Sequence, residues 1–142
     1  MAAASTEIIA RAVIRRDHQI LLARERASSW SFLPGGHVEP GERVEAALIR
    51  ELAEELGTND ATITRFLGAV EYGYTAAGIP HHEINLVFDV DLVEADPVSQ
   101  ADHIEFHWLP VDQLGDAEVR PESLKQALLV ADEWPFWRGW PA

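Results

Sequence analysis

Residues 36–58 read GHVEPGERVEAALIRELAEELGT, and this stretch decides the fold. From about Arg43 to Leu56 the apolar positions recur at helical spacing. Leu48, Leu52 and Leu56 fall four apart, with Ile49 and Ala53 beside them. Gly57 supplies a C-terminal stop. Successive helical residues turn by ~100°, so Glu51, Glu54 and Glu55 share an arc of about 100°, roughly opposite the apolar positions. Like charges four apart destabilise a helix by about 0.2–0.5 kcal/mol per pair. Acids near a helix C-terminus also oppose its dipole. Two local rules are broken at one place, which is where functional sites are expected. A hard divalent cation relieves such crowding: Mg²⁺ takes oxygen ligands and shares them with waters and substrate phosphates. Arg50 lies four residues before Glu54 and can pair with it or with Glu42. Two turns lead in, Pro34-Gly35-Gly36, read as a loop, and Glu39-Pro40-Gly41-Glu42. Glycines let a backbone approach a ligand closely, and carbonyls there can serve as metal ligands.

Upstream, Ile8, Ala10, Ala12 and Ile14 alternate with Ile9, Arg11, Val13 and Arg15, which reads as a strand with one fully apolar face. Asp17 and His18 form a turn into a second strand, Gln19 to Ala23. Downstream, Ile63 to Tyr74 and Glu83 to Leu92 read as strands joined by a turn at Ala76-Ala77-Gly78-Ile79-Pro80. His103 to Trp108 is a further strand with Ile104, Phe106 and Trp108 on one face. A second helix is expected from about Pro121 to Val130, burying Leu124, Leu128 and Leu129. Strands, helix, strands, helix imply a mixed sheet with helices on its faces.

At 142 residues the chain is one domain, expected to span residues 1–142 with an aromatic tail at 134–142. It contains no Cys, which excludes disulfides, thiolate metal sites and Cys nucleophiles. With 11 Lys and Arg against 24 Asp and Glu, the formal charge is −13. That balance argues against binding nucleic acid or an anionic membrane, unless a cation mediates contact with phosphate. No targeting segment or membrane span is legible, so a soluble, cytoplasmic protein is expected.

The pattern G-x5-E-x7-R-E-U-x-E-E-x-G-U, with U aliphatic, is met by Gly36, Glu42, Arg50, Glu51, Leu52, Glu54, Glu55 and Gly57; Thr58 is the one departure. In this the chain resembles the Nudix hydrolases. The preceding WSFLPG is also similar to the family's approach to its box. The resemblance implies an α/β/α sandwich around a central mixed sheet. It also implies Mg²⁺, with Mn²⁺ as a substitute, held by Glu54 and Glu55. Glu51 would be a further ligand or the general base, and the Gly35 carbonyl would complete the metal shell. Arg50 would orient the carboxylates, and Glu42 would support them. The implied reaction is attack of a metal-activated water on a diphosphate, giving a nucleoside monophosphate and a second phosphorylated product. The competing reading is a non-catalytic, nucleotide-sensing Nudix module, which has no need of four charged residues arranged in this way.

Arg24 and Arg26 lie in the region that borders substrate in the resembling family and are candidates for phosphate oxygens. Glu105 is a candidate extra ligand or base from a late strand, with Asp102 and Glu83 as further candidates. Trp30, Tyr74, Tyr72 and Phe32 are candidate stacking partners for a base. Tyr74 falls 16 positions after Thr58. A Tyr near that offset marks dinucleoside polyphosphate hydrolases in some branches of the family, so the reading leans that way. His103 and His107 lie in a strand pattern, which does not bring imidazoles together as a helical HExxH zinc motif does. The Trp134-Pro135-Phe136-Trp137-Arg138-Gly139-Trp140 tail is expected to dock over the domain's own core, the alternative being a homodimer contact. Substrate choice lies in loops outside the box.

Overall fold

The structure is a computed structural model that describes residues 5–93, 99, 102–130 and 133–141. The chain order is β1 (Thr6–Val13), β2 (Arg15–Arg16), β3 (Gln19–Glu25), β4 (Gly35–His37), α1 (Val44–Leu56), β5 (Thr62–Ala76), β6 (Ile79–Asp91), β7 (Ile104–Pro110), a 3₁₀ turn (Val111–Asp116), α2 (Glu122–Leu129) and β8 (Phe136–Arg138). The central sheet is mixed, in the order β4-β1-β6-β5-β8. β1 runs parallel to β6 and β8 parallel to β5, while β4 and β5 pair antiparallel to β1 and β6. A three-stranded antiparallel sheet, β2-β3-β7, continues from it.

The alternation of β1 sets the layers. Ala10 and Ala12 face α1 and pack with Leu48, Leu52 and Leu56 of that helix. Val13 faces the other way and joins Leu124, Ala127 and Leu128 of α2. The sheet is therefore apolar on both faces and covered on both, an α/β/α sandwich. Both hairpins turn on pairs of residues with positive φ, Asp17 (50°) with His18 (64°) and Ala77 (52°) with Gly78 (77°). That twist matches the flanking strands.

Two local expectations need correction. Pro34-Gly35-Gly36 is not wholly loop: Gly35 and Gly36 begin β4, paired with Arg11 and Ala10 of β1. Glycine permits this, because Gly35 has φ +140° and a Cβ there would lie 2.0 Å from the Ala10 carbonyl oxygen. Leu129 is not buried but 42% exposed; Lys125 takes an inward position instead, its ammonium donating to the carbonyls of Gly115 and Ala117. A long side chain can bury its stem while its head meets carbonyls, so polarity alone did not identify that face.

In the tail, Phe136 is buried in the α2-side core and β8 extends the sheet edge. Trp134 sits 3.8 Å from the Arg65 guanidinium, Trp140 lies against His82, and Trp137 stays exposed. No helix among the described residues is long and apolar enough to cross a membrane.

Candidate active site

The box helix keeps its expected bounds. Arg43 is the N-cap residue, and Gly57, at φ 67°, donates its N–H to Ala53 and closes the helix. Thr58 is buried, and its hydroxyl accepts the Asp60 N–H at 3.2 Å, which turns the chain toward β5. The aliphatic residue usual there has been replaced by one that fixes the helix exit with a hydrogen bond.

Arg50 organises the carboxylates. Its Nε and Nη2 donate to the two oxygens of Glu42 at 2.8 and 3.0 Å, a paired grip. Nη1 donates to Glu51 at 3.0 Å and, at 3.4 Å, to Glu54; Nη2 also reaches the His37 carbonyl at 3.1 Å. The Glu42 carboxyl is held down to about 2, first by its bond to Arg50 and then by the Glu39 N–H. Arg50 is pushed further up by the same partner.

The three glutamates of the arc are not equivalent. Glu54 is exposed, Glu51 half-buried and Glu55 buried. Burial pushes the Glu55 carboxyl up to about 8, neighbouring Glu51 adds to the shift, and Arg11 and a backbone bond from Gly35 oppose it. Its Oε2 is buried and has no hydrogen-bond partner among the described residues. An orphaned buried carboxylate oxygen beside a second carboxylate suits a hard cation, since the donor set is all oxygen. Among the described residues, no three such groups already converge closely enough to hold an ion. Glu51 Oε1 and the Glu54 carboxylate are turned toward Arg50.

Gly36 sets the spacing between β4 and α1. A Cβ on it would lie 2.4 Å from the Glu51 carboxyl carbon. Gly36→Ala is therefore expected to displace the Glu51 carboxylate while sparing the backbone. Catalytic turnover should fall at least tenfold, with a melting temperature within a few degrees of wild type; equal turnover would show that Glu51 needs no fixed position.

On the α2 side of the sheet lies a cleft of about 430 Å³, walled by Trp30, Phe32, Tyr72 and Tyr74, with Arg11, Glu25, Glu83 and Arg120 among its polar lining. Tyr74 stacks between Tyr72 (5.2 Å) and His81 (4.7 Å), and its hydroxyl donates to Glu83 at 3.4 Å. The Arg120 guanidinium lies 4.7 Å over Trp30 and pairs with Glu118. The 118–120 segment and Ser31 exchange backbone hydrogen bonds, which fixes that wall.

Trp30 and Tyr74 thus meet in one cleft. Arg24, Arg26 and Glu105 are not among its lining; Arg24 of β3 and Arg26 just beyond it both pair with Glu105 of β7, Arg24 Nε donating at 3.0 Å. Arg24 holds the Glu105 carboxyl below its usual range. Asp102 gives its carbonyl to Arg26. His107 lies on β7, an extended strand that does not form the helical imidazole pair of a zinc motif.

Sequence reasoning missed Arg11 and Arg120 as cleft residues. Arg11 interrupts an otherwise apolar strand face, a signal that could have marked it. Arg120 is brought to Trp30 only by the packing of the 118–121 segment.

The sequence profile described as NUDIX domain matches residues 6–131. The chain is 46% identical over 68 residues to the CTP pyrophosphohydrolase of Escherichia coli, an alignment covering 44% of this chain and 48% of that one. It is 32% identical over 109 residues to the NAD-capped RNA hydrolase NudC of Pseudomonas aeruginosa, covering 72% of this chain and 35% of the relative. The chain thus spans half or less of these curated relatives. Among solved structures, a MutT protein from Methanosarcina mazei superposes with a TM-score of 0.76 at 26% identity, covering 92% of this chain and 95% of the other. Divalent metal, typically Mg²⁺, is general in this family. With the profile running from β1 to the end of α2, and the box matched at every fixed position but its last, the chain belongs to the NUDIX family.

Proposed function

We propose that this protein is a Mg²⁺-dependent pyrophosphohydrolase. It cleaves a nucleoside diphosphate linked to another moiety into a nucleoside monophosphate and a second phosphorylated product. The observation that carries the reading is the buried Oε2 of Glu55, without a partner among the described residues, beside Glu51 on a helix where Arg50 holds Glu51 and Glu54. Such a strained, acid-rich site is costly to keep unless it takes up a cation.

Glu55 and Glu54 are the metal-holding residues in this reading, and the Gly35 carbonyl would complete the set. Glu51 is a further ligand or the base that receives the proton of the attacking water. A bound magnesium ion supplies a water of lowered pKa, neutralises phosphate charge and stabilises the leaving oxygen. Arg50 keeps Glu42, Glu51 and Glu54 in register and limits their mutual repulsion. The aromatic cleft takes the nucleoside, with Trp30 and Tyr74 as stacking surfaces. Tyr74 also supports a lean toward dinucleoside polyphosphates.

The test is phosphate or nucleotide release across ADP-ribose, dinucleoside polyphosphates, nucleotide sugars and nucleoside triphosphates, with Mg²⁺ or EDTA. Metal-dependent turnover of at least one member is expected. Tight nucleotide binding with no turnover in Mg²⁺ or Mn²⁺ would replace the enzyme by a sensor.

A further inference from the structure

Arg11 differs from the ion-paired arginines of the chain. Arg24 and Arg26 pair with Glu105, Arg50 with Glu42, Arg65 with Asp89 and Arg120 with Glu118. Among the described residues, Arg11 is held by neutral acceptors alone. Its Nε donates to Asn85 Oδ1 at 3.2 Å and its Nη1 to the Leu33 carbonyl at 3.0 Å, and the guanidinium lies 5.7 Å over the Phe32 ring. These contacts fix the guanidinium without cancelling its charge. A guanidinium carries five N–H donors, so most of its capacity is uncommitted.

Its place matters as much as its pairing. Arg11 lines the aromatic cleft. Its strand neighbour across β4 is Gly35, whose backbone also bonds Glu55. Glu83 of the cleft, then Glu55 and Glu51 of α1, are the carboxylates that act on it through space. Arg11 therefore stands at the junction of the cleft and the carboxylate helix. Burial lowers its pKa, as expected for a cation taken from water without a contacting anion.

We propose that Arg11 is the phosphate-binding residue of this protein, gripping the diphosphate of a ligand where it passes from the α1 carboxylates into the aromatic cleft. Asn85 and the Leu33 carbonyl are the two struts that preset its orientation, so less conformational freedom is lost on binding. The cleft's other arginine, Arg120, is already engaged by Glu118 and the Trp30 ring and serves the nucleoside end. The proposal rests on the pyrophosphohydrolase reading only for the class of ligand, a diphosphate, and does not require turnover.

The probe is methylenediphosphonate, a diphosphate analogue that resists hydrolysis and carries no base. Its affinity is measured by titration calorimetry in Mg²⁺ for wild type, Arg11→Met, Arg11→Lys and Arg65→Met, alongside melting temperatures. The last variant removes the same charge from the opposite end of β5 from Tyr72 and Tyr74. Arg11→Met should lose about 10–100-fold in affinity, the scale of one or two charge-assisted hydrogen bonds, and Arg11→Lys should recover part of it. Arg65→Met should bind within about twofold of wild type, since exposed charge acts weakly at a distance. Wild-type affinity in a folded Arg11→Met or Arg11→Lys protein would overturn the proposal, as would an equal loss in Arg65→Met or no binding by the wild type. Failure of the hydrolase reading looks different: no turnover of any nucleotide by a protein that still binds the diphosphonate through Arg11.

Discussion

Replacing Glu55 by Gln is expected to lower hydrolysis by roughly 10³-fold or more and, in the absence of metal, to make the protein more stable. The two effects share one cause. Glu55 is buried with an oxygen that nothing satisfies, and its carboxyl is pushed up to about 8. Because the folded value lies above the unfolded one, folding takes up a proton. The stability this group contributes is complete below the unfolded pKa, about 4.5, and is lost as pH rises toward 8. At pH 7 the loss is on the order of 3 kcal/mol for a side chain so nearly excluded from water. Gln has the same shape and no charge to bury, so the pH-dependent loss disappears while the anionic ligand is lost. Thermal melts in EDTA at pH 5 and pH 8 should show wild type less stable at pH 8 and the variant nearly level. Added Mg²⁺ should raise the wild-type melting temperature and leave the variant's largely unchanged. A variant with full activity, or a wild-type protein as stable at pH 8 as at pH 5, would remove Glu55 from the centre of the site.

Arg50→Ala is expected to reduce turnover by about 10–100-fold, more than the same change would do to metal affinity measured alone. Arg50 holds four groups at once: both oxygens of Glu42, one of Glu51, Glu54 and the His37 carbonyl. Its removal leaves Glu42, Glu51 and Glu54 to repel one another without the cation between them. Arg50→Lys should recover little, because a single ammonium cannot reproduce the paired grip on Glu42. The acid end of the stability curve should move as well. Glu42 titrates near 2 in the folded protein, below its unfolded value of 4.5. It therefore contributes stability above about 4.5 that disappears as pH falls toward 2, and Arg50→Ala should flatten that limb of the curve. Saturating Mg²⁺ kinetics together with melts at pH 3 and pH 6 check both points. Wild-type kcat in the alanine variant would reduce Arg50 to an ordinary surface charge.

The acidity of the chain has two parts. Between Glu39 and Glu55 it gathers six acids and two arginines, and there the structure gives it a use: a helix whose acids are spread from exposed to buried around one arginine. From Phe66 to Val119 there are 11 acids and no Lys or Arg. Within that block Glu83 lines the cleft, Glu105 binds Arg24, and Glu71 meets His82 at 2.7 Å. Asp89 pairs with Arg65 and Glu118 with Arg120, and the net acidity of the block favours solubility.

Much of the architecture was legible because it rests on local periodicity. The four-residue spacing of Leu48, Leu52 and Leu56, the stop at Gly57 and the alternation along β1 each depend on neighbours a few residues away, and each is found where it was read. The box could be recognised for the same reason: its residues lie on one helix and the turn before it, so linear spacing carries their geometry. Tertiary structure decided what linear spacing cannot carry. Glu51, Glu54 and Glu55 look alike on a helical wheel, yet only the approach of β4 buries Glu55 and leaves Glu54 in water. Gly35 and Gly36 read as loop because glycine favours turns; pairing with β1 makes them strand, since only a residue without Cβ can lie that close to the Ala10 carbonyl. Arg11 and Arg24 are both strand arginines, on β1 and β3. The pairing of β3 with β7 places Glu105 beside Arg24, while Arg11 meets, among the described residues, the Asn85 amide of β6 and the Leu33 carbonyl ahead of β4. The charge that remains available to a phosphate is set by which strands lie side by side, through contacts between residues 74 and 81 positions apart that no local pattern encodes.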